Sequence, residues 1–103
     1  MNSVLLDKIK KQKQLLLEED GFEIVAIFGS FAKGLEKKDS DIDLLYDIKP
    51  KFLKKYGGFQ AFDRLNKIRE NLQNYLGRDI DLATIDNHSK TFKQYALKDI
   101  IYV

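Results

Sequence analysis

The residues able to do chemistry together are Gly29-Ser30, the pair Asp41 and Asp43 after a ten-residue gap, and Asp81. Gly29 has no Cβ, so its backbone can come close to a ligand. Ser30 offers a hydroxyl and an N–H, and a helical turn starting there would aim free N–H groups at phosphate oxygens. Asp41 and Asp43 are two apart in a predicted strand, so both carboxylates leave one face with Cα atoms roughly 6.6 Å apart. Two such carboxylates raise each other's cost of ionisation unless a cation intervenes. Magnesium suits this setting, taking one or two carboxylates with water and phosphate oxygens completing its shell. Two ions roughly 3.5–4 Å apart would clamp the attacking and leaving oxygens of an in-line phosphoryl displacement. Asp81 is the natural third carboxylate, although Asp79 has the same strand parity and spacing alone does not separate the two. Lys33, Lys37 and Lys38 lie near enough in sequence to act as point charges for a triphosphate.

The rest of the chain must position these groups. Ser3 can cap a helix running to about Glu19, with Gly21 past its end and an apolar stripe of Leu5, Ile9, Leu15 and Leu16 that Gln12 and Lys13 interrupt. Phe22 to Phe28 reads as a strand covered on both faces. From Asp41 the alternation sets Ile42, Leu44, Tyr46 and Ile48 on one face and Asp41, Asp43, Leu45 and Asp47 on the other. Pro50 ends that strand, and residues 51–56 read as a basic connector. Phe59, Phe62, Leu65, Ile68, Leu72, Tyr75 and Leu76 recur every three or four residues, which predicts an amphipathic helix over 59–76 ending at Gly77. Arg78 to Ile85 alternates again, a last helix carries Phe92, Tyr95, Ala96 and Ile100, and residues 101–103 read as an edge strand. The expected fold class is α/β (α+β): a small mixed β-sheet with helices packed on it, in one domain spanning residues 1–103.

Composition narrows the function classes. The 103 residues carry a net charge of +2 and no cysteine, so disulfides and thiolate metal sites are excluded. Apolar runs are too short for a membrane span and the N-terminus turns charged too soon for a secretory signal, which places the chain in the cytoplasm. The lysine runs at 8–13 and 49–55 read as solvated faces; arginine is scarce and no aromatic platform is interleaved, so no dedicated nucleic-acid surface is expected. Asp39, Asp41 and Asp43 have the spacing of a calcium loop, but Leu44 stands where glycine is needed and Pro50 where the bidentate glutamate belongs. His88 reads as a surface residue, Asp47 as structural, and Tyr102 as either a surface residue or a partner contact.

The stretch GSFAKGLEKKDSDIDLL is similar to the defining motif of the polymerase-β-type nucleotidyltransferase superfamily. The short chain resembles its minimal branch, the MNT proteins paired with HEPN-domain toxins. Gly77-Arg78-Asp79-Ile80-Asp81-Leu82 is similar to the family segment bearing the third acid, which aligns with Asp81. Phe31 and Lys38 depart from the pattern, where members often carry arginine and proline. The resemblance implies catalytic, metal-holding roles for Asp41, Asp43 and Asp81 with two magnesium ions, and nucleotide contacts from Gly29, Ser30, Lys33 and Lys38 with ATP as the donor substrate. It further implies a protein adenylyltransferase that modifies a tyrosine of a cognate HEPN ribonuclease toxin and acts as its antitoxin in a hetero-oligomer. Larger relatives bring the acceptor on an extra helical domain, so here the acceptor is expected on another polypeptide. Two other readings stand beside it: a non-catalytic module that neutralises the toxin by occlusion, and a small-molecule nucleotidyltransferase.

Overall fold

The computed structural model describes residues 3–37, 40–84 and 100–103. The expected first helix is α1 (Ser3–Asp20), followed through Gly21 by β1 (Phe22–Phe28) and a five-residue helix α2 (Gly29–Lys33). Next come β2 (Ile42–Ile48), α3 (Pro50–Lys55), α4 (Phe59–Leu76), β3 (Ile80–Thr84) and β4 (Ile101–Tyr102). Among the described residues the strands form one mixed sheet in the order β3-β2-β1-β4. β1 runs antiparallel to β2 and β4, while β2 and β3 run parallel. The mixed sheet with packed helices is the architecture the residue pattern implied. The last predicted helix, with Phe92, Tyr95 and Ala96, and also His88, lie outside the described residues. No helix among the described residues is long and apolar enough to cross a membrane.

The core lies between one face of this sheet and the helices. Ile24, Ile27, Ile42, Leu44 and Ile80 point into it from the strands, Ile9 from α1, Phe52 from α3, and Ile68, Leu72 and Leu76 from α4. Three local expectations are corrected. Residues 51–56 are no loose connector: Pro50 occupies the first turn of α3, where its missing N–H costs nothing, and Phe52 is fully buried beneath it. In α1, Leu15 is 48% exposed, and the inward stripe passes instead through the half-buried Gln12 and Lys13, whose ammonium donates to the Val103 carbonyl. In α4, Phe59 is 88% and Phe62 68% exposed, so only the later part of the helical stripe meets the sheet.

α1, α3 and α4 meet at Asp20, which is 1% exposed. Arg64 donates to one carboxylate oxygen from Nε at 3.0 Å and from its terminal nitrogen at 2.5 Å. The Tyr56 hydroxyl (2.7 Å) and Lys55 Nζ (3.4 Å) donate to the other oxygen. Burial pushes the Asp20 carboxyl up, but the bonds from Arg64, Tyr56 and Lys55 outweigh it and hold the group below its ordinary value. Gly21, directly after, has φ +71, and a Cβ there would meet the Phe52 nitrogen at 2.8 Å, so α1 can turn tightly into β1 against α3 only with glycine.

Candidate functional site

β1 carries an irregularity that sets up the site. Ile24 pairs with Tyr46 and Ala26 with Leu45, so the register slips by one residue around Val25. The slip reverses the parity of the strand's end. Ala26 and Phe28 now share a face with Leu45 and Asp43, and both Ala26 and Leu45 are fully buried there. A β-bulge re-aims side chains in just this way. Phe28 is paired with Asp43, and the next residue, Gly29, lies directly against the carboxylate. A Cβ on Gly29 would stand 2.1 Å from Asp43 Oδ2, and Gly29 has φ +74. Only glycine satisfies both conditions. Gly29→Ala is accordingly expected to displace Asp43 and to lower stability by about 1–2 kcal/mol through the left-handed backbone alone. A urea titration compared with wild type measures that loss, and an NMR shift of the Asp43 carboxyl reports the displacement.

The parallel pairing of β2 with β3 sets the two later acids apart in position. Asp43 is directly opposite Asp81, whereas Asp79 contributes its backbone carbonyl to the ladder, accepting from the Ile42 N–H at 2.9 Å. Asp81 and Asp41 both act on the Asp43 carboxyl through their charges, Asp81 the more strongly. Burial first, then the charges of Asp81 and Asp41, push the Asp43 carboxyl up to about 6. Asp41 and Asp81 are both exposed at the rim. Among the described residues no three such side chains already stand together as a ready-made metal cluster. The donor set is nonetheless all carboxylate oxygen, which is the chemistry a hard divalent cation takes, and a cation would relieve the repulsion recorded in Asp43.

Ser30 sits half-buried in the first turn of α2, and its carbonyl accepts from the Leu35 N–H at 2.9 Å. Phe28 at the N-cap makes no side-chain capping bond. Gly29, Ser30, Asp41, Asp43 and Asp81 are thus brought to one end of three adjacent strands. Lys33 is exposed at the far end of α2, and Lys38 lies outside the described residues. Asp47 is engaged elsewhere, accepting from Lys49 Nζ at 3.1 Å and from the Ile48 N–H at 2.9 Å.

Arg78 and Ser40, beside the site, were not singled out by their spacing. Arg78 lies over the ring of Phe31, 5.0 Å from its centroid, and donates to the carbonyls of Lys37 (3.3 Å) and Ser40 (3.4 Å). Ser40 Oγ accepts from the Lys37 N–H at 2.7 Å. Phe31, where relatives of the motif often carry arginine, is buried, and the guanidinium beside it comes from Arg78 on the α4–β3 connection. Arg78 therefore ties the two halves of the motif together. Its replacement in Arg78→Ala is expected to speed amide exchange at Lys37 by about fivefold to tenfold, the loss of roughly 1 kcal/mol of local protection. Unchanged exchange there would remove this role from Arg78.

A sheet of this order with Gly-Ser and three aspartates at one end defines a class. The description "Polymerase beta, Nucleotidyltransferase" matches residues 4–103, and the chain belongs to this nucleotidyltransferase family. It is similar to the protein adenylyltransferase MntA of Thermococcus cleftensis, at 29% identity over 88% of this chain and 84% of the relative. A Methanocaldococcus jannaschii protein, provisionally named a protein adenylyltransferase, is 32% identical over 98% of this chain and 96% of its own. Two solved structures share the fold. One, described provisionally as a minimal nucleotidyltransferase, has a TM-score of 0.68 at 23% identity, covering 100% of this chain and 97% of that one. The other, a toxin-antitoxin crystal structure with AMP-PNP, has a TM-score of 0.60 at 20% identity, covering 93% of this chain and 69% of that one.

Proposed function

We propose that this chain is a magnesium-dependent protein adenylyltransferase that moves AMP from ATP to a hydroxyl of a partner protein and thereby acts as an antitoxin. The observation that carries the reading is the Asp43–Asp81 contact on adjacent parallel strands, with Gly29 pressed against Asp43. The names of the Thermococcus cleftensis and Methanocaldococcus jannaschii relatives support adenylyl transfer to protein, and the toxin-antitoxin structure with AMP-PNP supports a toxin as the partner. A tyrosine of a HEPN ribonuclease is the acceptor the motif implies.

Asp43 and Asp81 would hold the metal with Asp41, and bound magnesium would neutralise triphosphate charge. Gly29 admits the phosphates close to the backbone, and Ser30 donates to them from its hydroxyl and N–H. Asp81 orients the acceptor hydroxyl and takes its proton. The acceptor oxygen bonds to the α-phosphorus as the bond from that phosphorus to the bridging oxygen breaks, and pyrophosphate leaves with the electron pair. Catalysis here is positioning and charge neutralisation.

The test pairs this protein with the product of the neighbouring gene, for which a HEPN ribonuclease is the expectation, using ATP labelled at the α-phosphate. With wild type the toxin gains label and loses ribonuclease activity only when magnesium is present. The double variant Asp41→Asn/Asp43→Asn should keep the complex and lose the transfer. If that variant silences the toxin as well as wild type does, the occlusion reading replaces this one.

A further inference from the structure

A hollow of about 320 Å³ lies between α4 and β3, and Asp81 forms part of its wall. We propose that this hollow receives the acceptor-bearing segment of the protein substrate, and that the segment is aromatic at the modified hydroxyl and acidic beside it. The inference rests on the adenylyl-transfer reading and adds to it where, and through which residues, the substrate is held.

The strand order places the hollow on the acceptor side. Gly29 and Ser30 follow β1, the acidic pair sits on β2 and β3, and the hollow lies over β2 and β3 beneath α4. Of the three acids Asp81 is the one that lines the hollow, and it sits on β3, two strands from the turn that follows β1. In-line displacement needs donor and acceptor on opposite sides of the reacting phosphorus. A hydroxyl delivered to Asp81 from the side away from Gly29 carries its flanking residues into the hollow.

The walls fit such a segment. Tyr46, Phe62, Leu65 and Leu82 supply an aromatic and aliphatic surface. Phe62 is 68% exposed although it falls on the apolar stripe of α4, so a large ring is left in water in the hollow that Asp81 also lines. Exposed aromatics next to a concave site mark recognition surfaces. The hollow also holds a cation: Arg69 lines it, and its Nε is buried with no hydrogen-bond partner. A buried donor of this kind calls for an acceptor, and a carboxylate is the strongest available. Aromatic walls with a guanidinium inside select an aromatic, acidic peptide.

The probes are acetylated, amidated peptides with a central tyrosine flanked by glutamates or by lysines, titrated into 15N-labelled full-length protein. The acidic peptide should shift the Arg69 Nε–H and Leu82 amide signals, and the lysine-flanked one should not. Phe62→Ala and Arg69→Gln should each raise the KM for AMP transfer to the acidic peptide about tenfold, leaving AMP-PNP affinity within about twofold of wild type. Leu53→Ala, at a residue 62% exposed on α3, is the control and should change neither. Phe62 is exposed enough for its variant to fold, and a thermal melt checks that it does. Signals of the hollow that move with AMP-PNP alone, or stay still with the acidic peptide, overturn the proposal, as does transfer unaffected by both variants. If the peptide docks in the hollow but wild type transfers no AMP to it, the adenylyl-transfer reading falls and the docking surface stands.

Discussion

Asp43→Asn should lose AMP transfer by about a thousandfold and yet give a protein that is harder to unfold in metal-free buffer. Both effects come from one cause. Asp43 has a carboxyl pushed up to about 6 by burial and by the charges of Asp81 and Asp41. In the unfolded chain the same group titrates near 4, so the folded state holds its proton to higher pH. The sign follows directly. Metal-free stability is greatest below about pH 4 as far as this group is concerned, falls as pH rises through 6, and stays reduced above it. The penalty at pH 7.5 is about 1 kcal/mol after solvent screening, and an asparagine of the same shape removes it. Thermal melts of wild type and variant should therefore diverge between pH 4 and pH 7, the variant melting higher at the upper end. Magnesium should raise the wild-type melting temperature and leave the variant nearly unmoved. A variant no more stable than wild type at pH 7.5 would mean that the acids do not strain the fold.

Arg64→Ala should be the most damaging single change to stability, at about 3–5 kcal/mol, because it strands the buried Asp20 carboxylate. That is a large share of the roughly 5–15 kcal/mol that holds a domain of this size. Loss of Tyr56 alone, as Tyr56→Phe, should cost only about 1 kcal/mol, since Arg64 still satisfies the charge. Replacing both partners, Asp20→Leu with Arg64→Met, should recover most of the loss, because no charge is then left buried. Urea midpoints for the four proteins order the effects. Asp20 has a lowered carboxyl in the folded state, so its contribution is present above about pH 4 and is lost as pH falls further. Equal midpoints for Arg64→Ala and the double replacement would show that packing, and not the stranded charge, sets the cost.

Local periodicity carried most of the frame. Phe22–Phe28 and Phe59–Leu76 fall where the apolar run and the helical stripe placed them, each bounded by a glycine. What stayed hidden depends on partners distant in sequence. Nothing near Asp20 marks it for burial, because the groups that neutralise it lie 35 to 44 residues away. The same holds for Arg78, whose use appears only when the α4–β3 connection returns beside Phe31. Lys51 to Tyr56 was too short for a period to declare itself, and Pro50 signals the start of a helix as well as the end of a strand. The tie between Asp79 and Asp81 is a matter of register, which a single strand's parity does not encode. Of the site, the Gly-Ser turn and the acidic pair were legible because their spacing is local. Phe59 and Phe62 followed the stripe of α4 and still face water, since a helical period states which residues share a side and not how far along it the sheet extends.

The slip at Val25 also governs how far this motif could travel between proteins. It behaves as a phase offset of one residue between two alternating patterns: Phe22 and Ile24 face the core before it, Ile27 does so after it, and Ala26 and Phe28 take the face of Asp43. Deleting Val25 would set Ile24 and Ala26 consecutively against Tyr46 and Leu45 and keep Phe28 opposite Asp43, whereas a regular strand that kept Val25 would turn Phe28 and Gly29 out of step with Asp43. A graft of Gly29 to Asp43 onto another hairpin thus needs a preceding strand whose phase brings Gly29 against Asp43, which this bulge or a regular strand one residue shorter would supply.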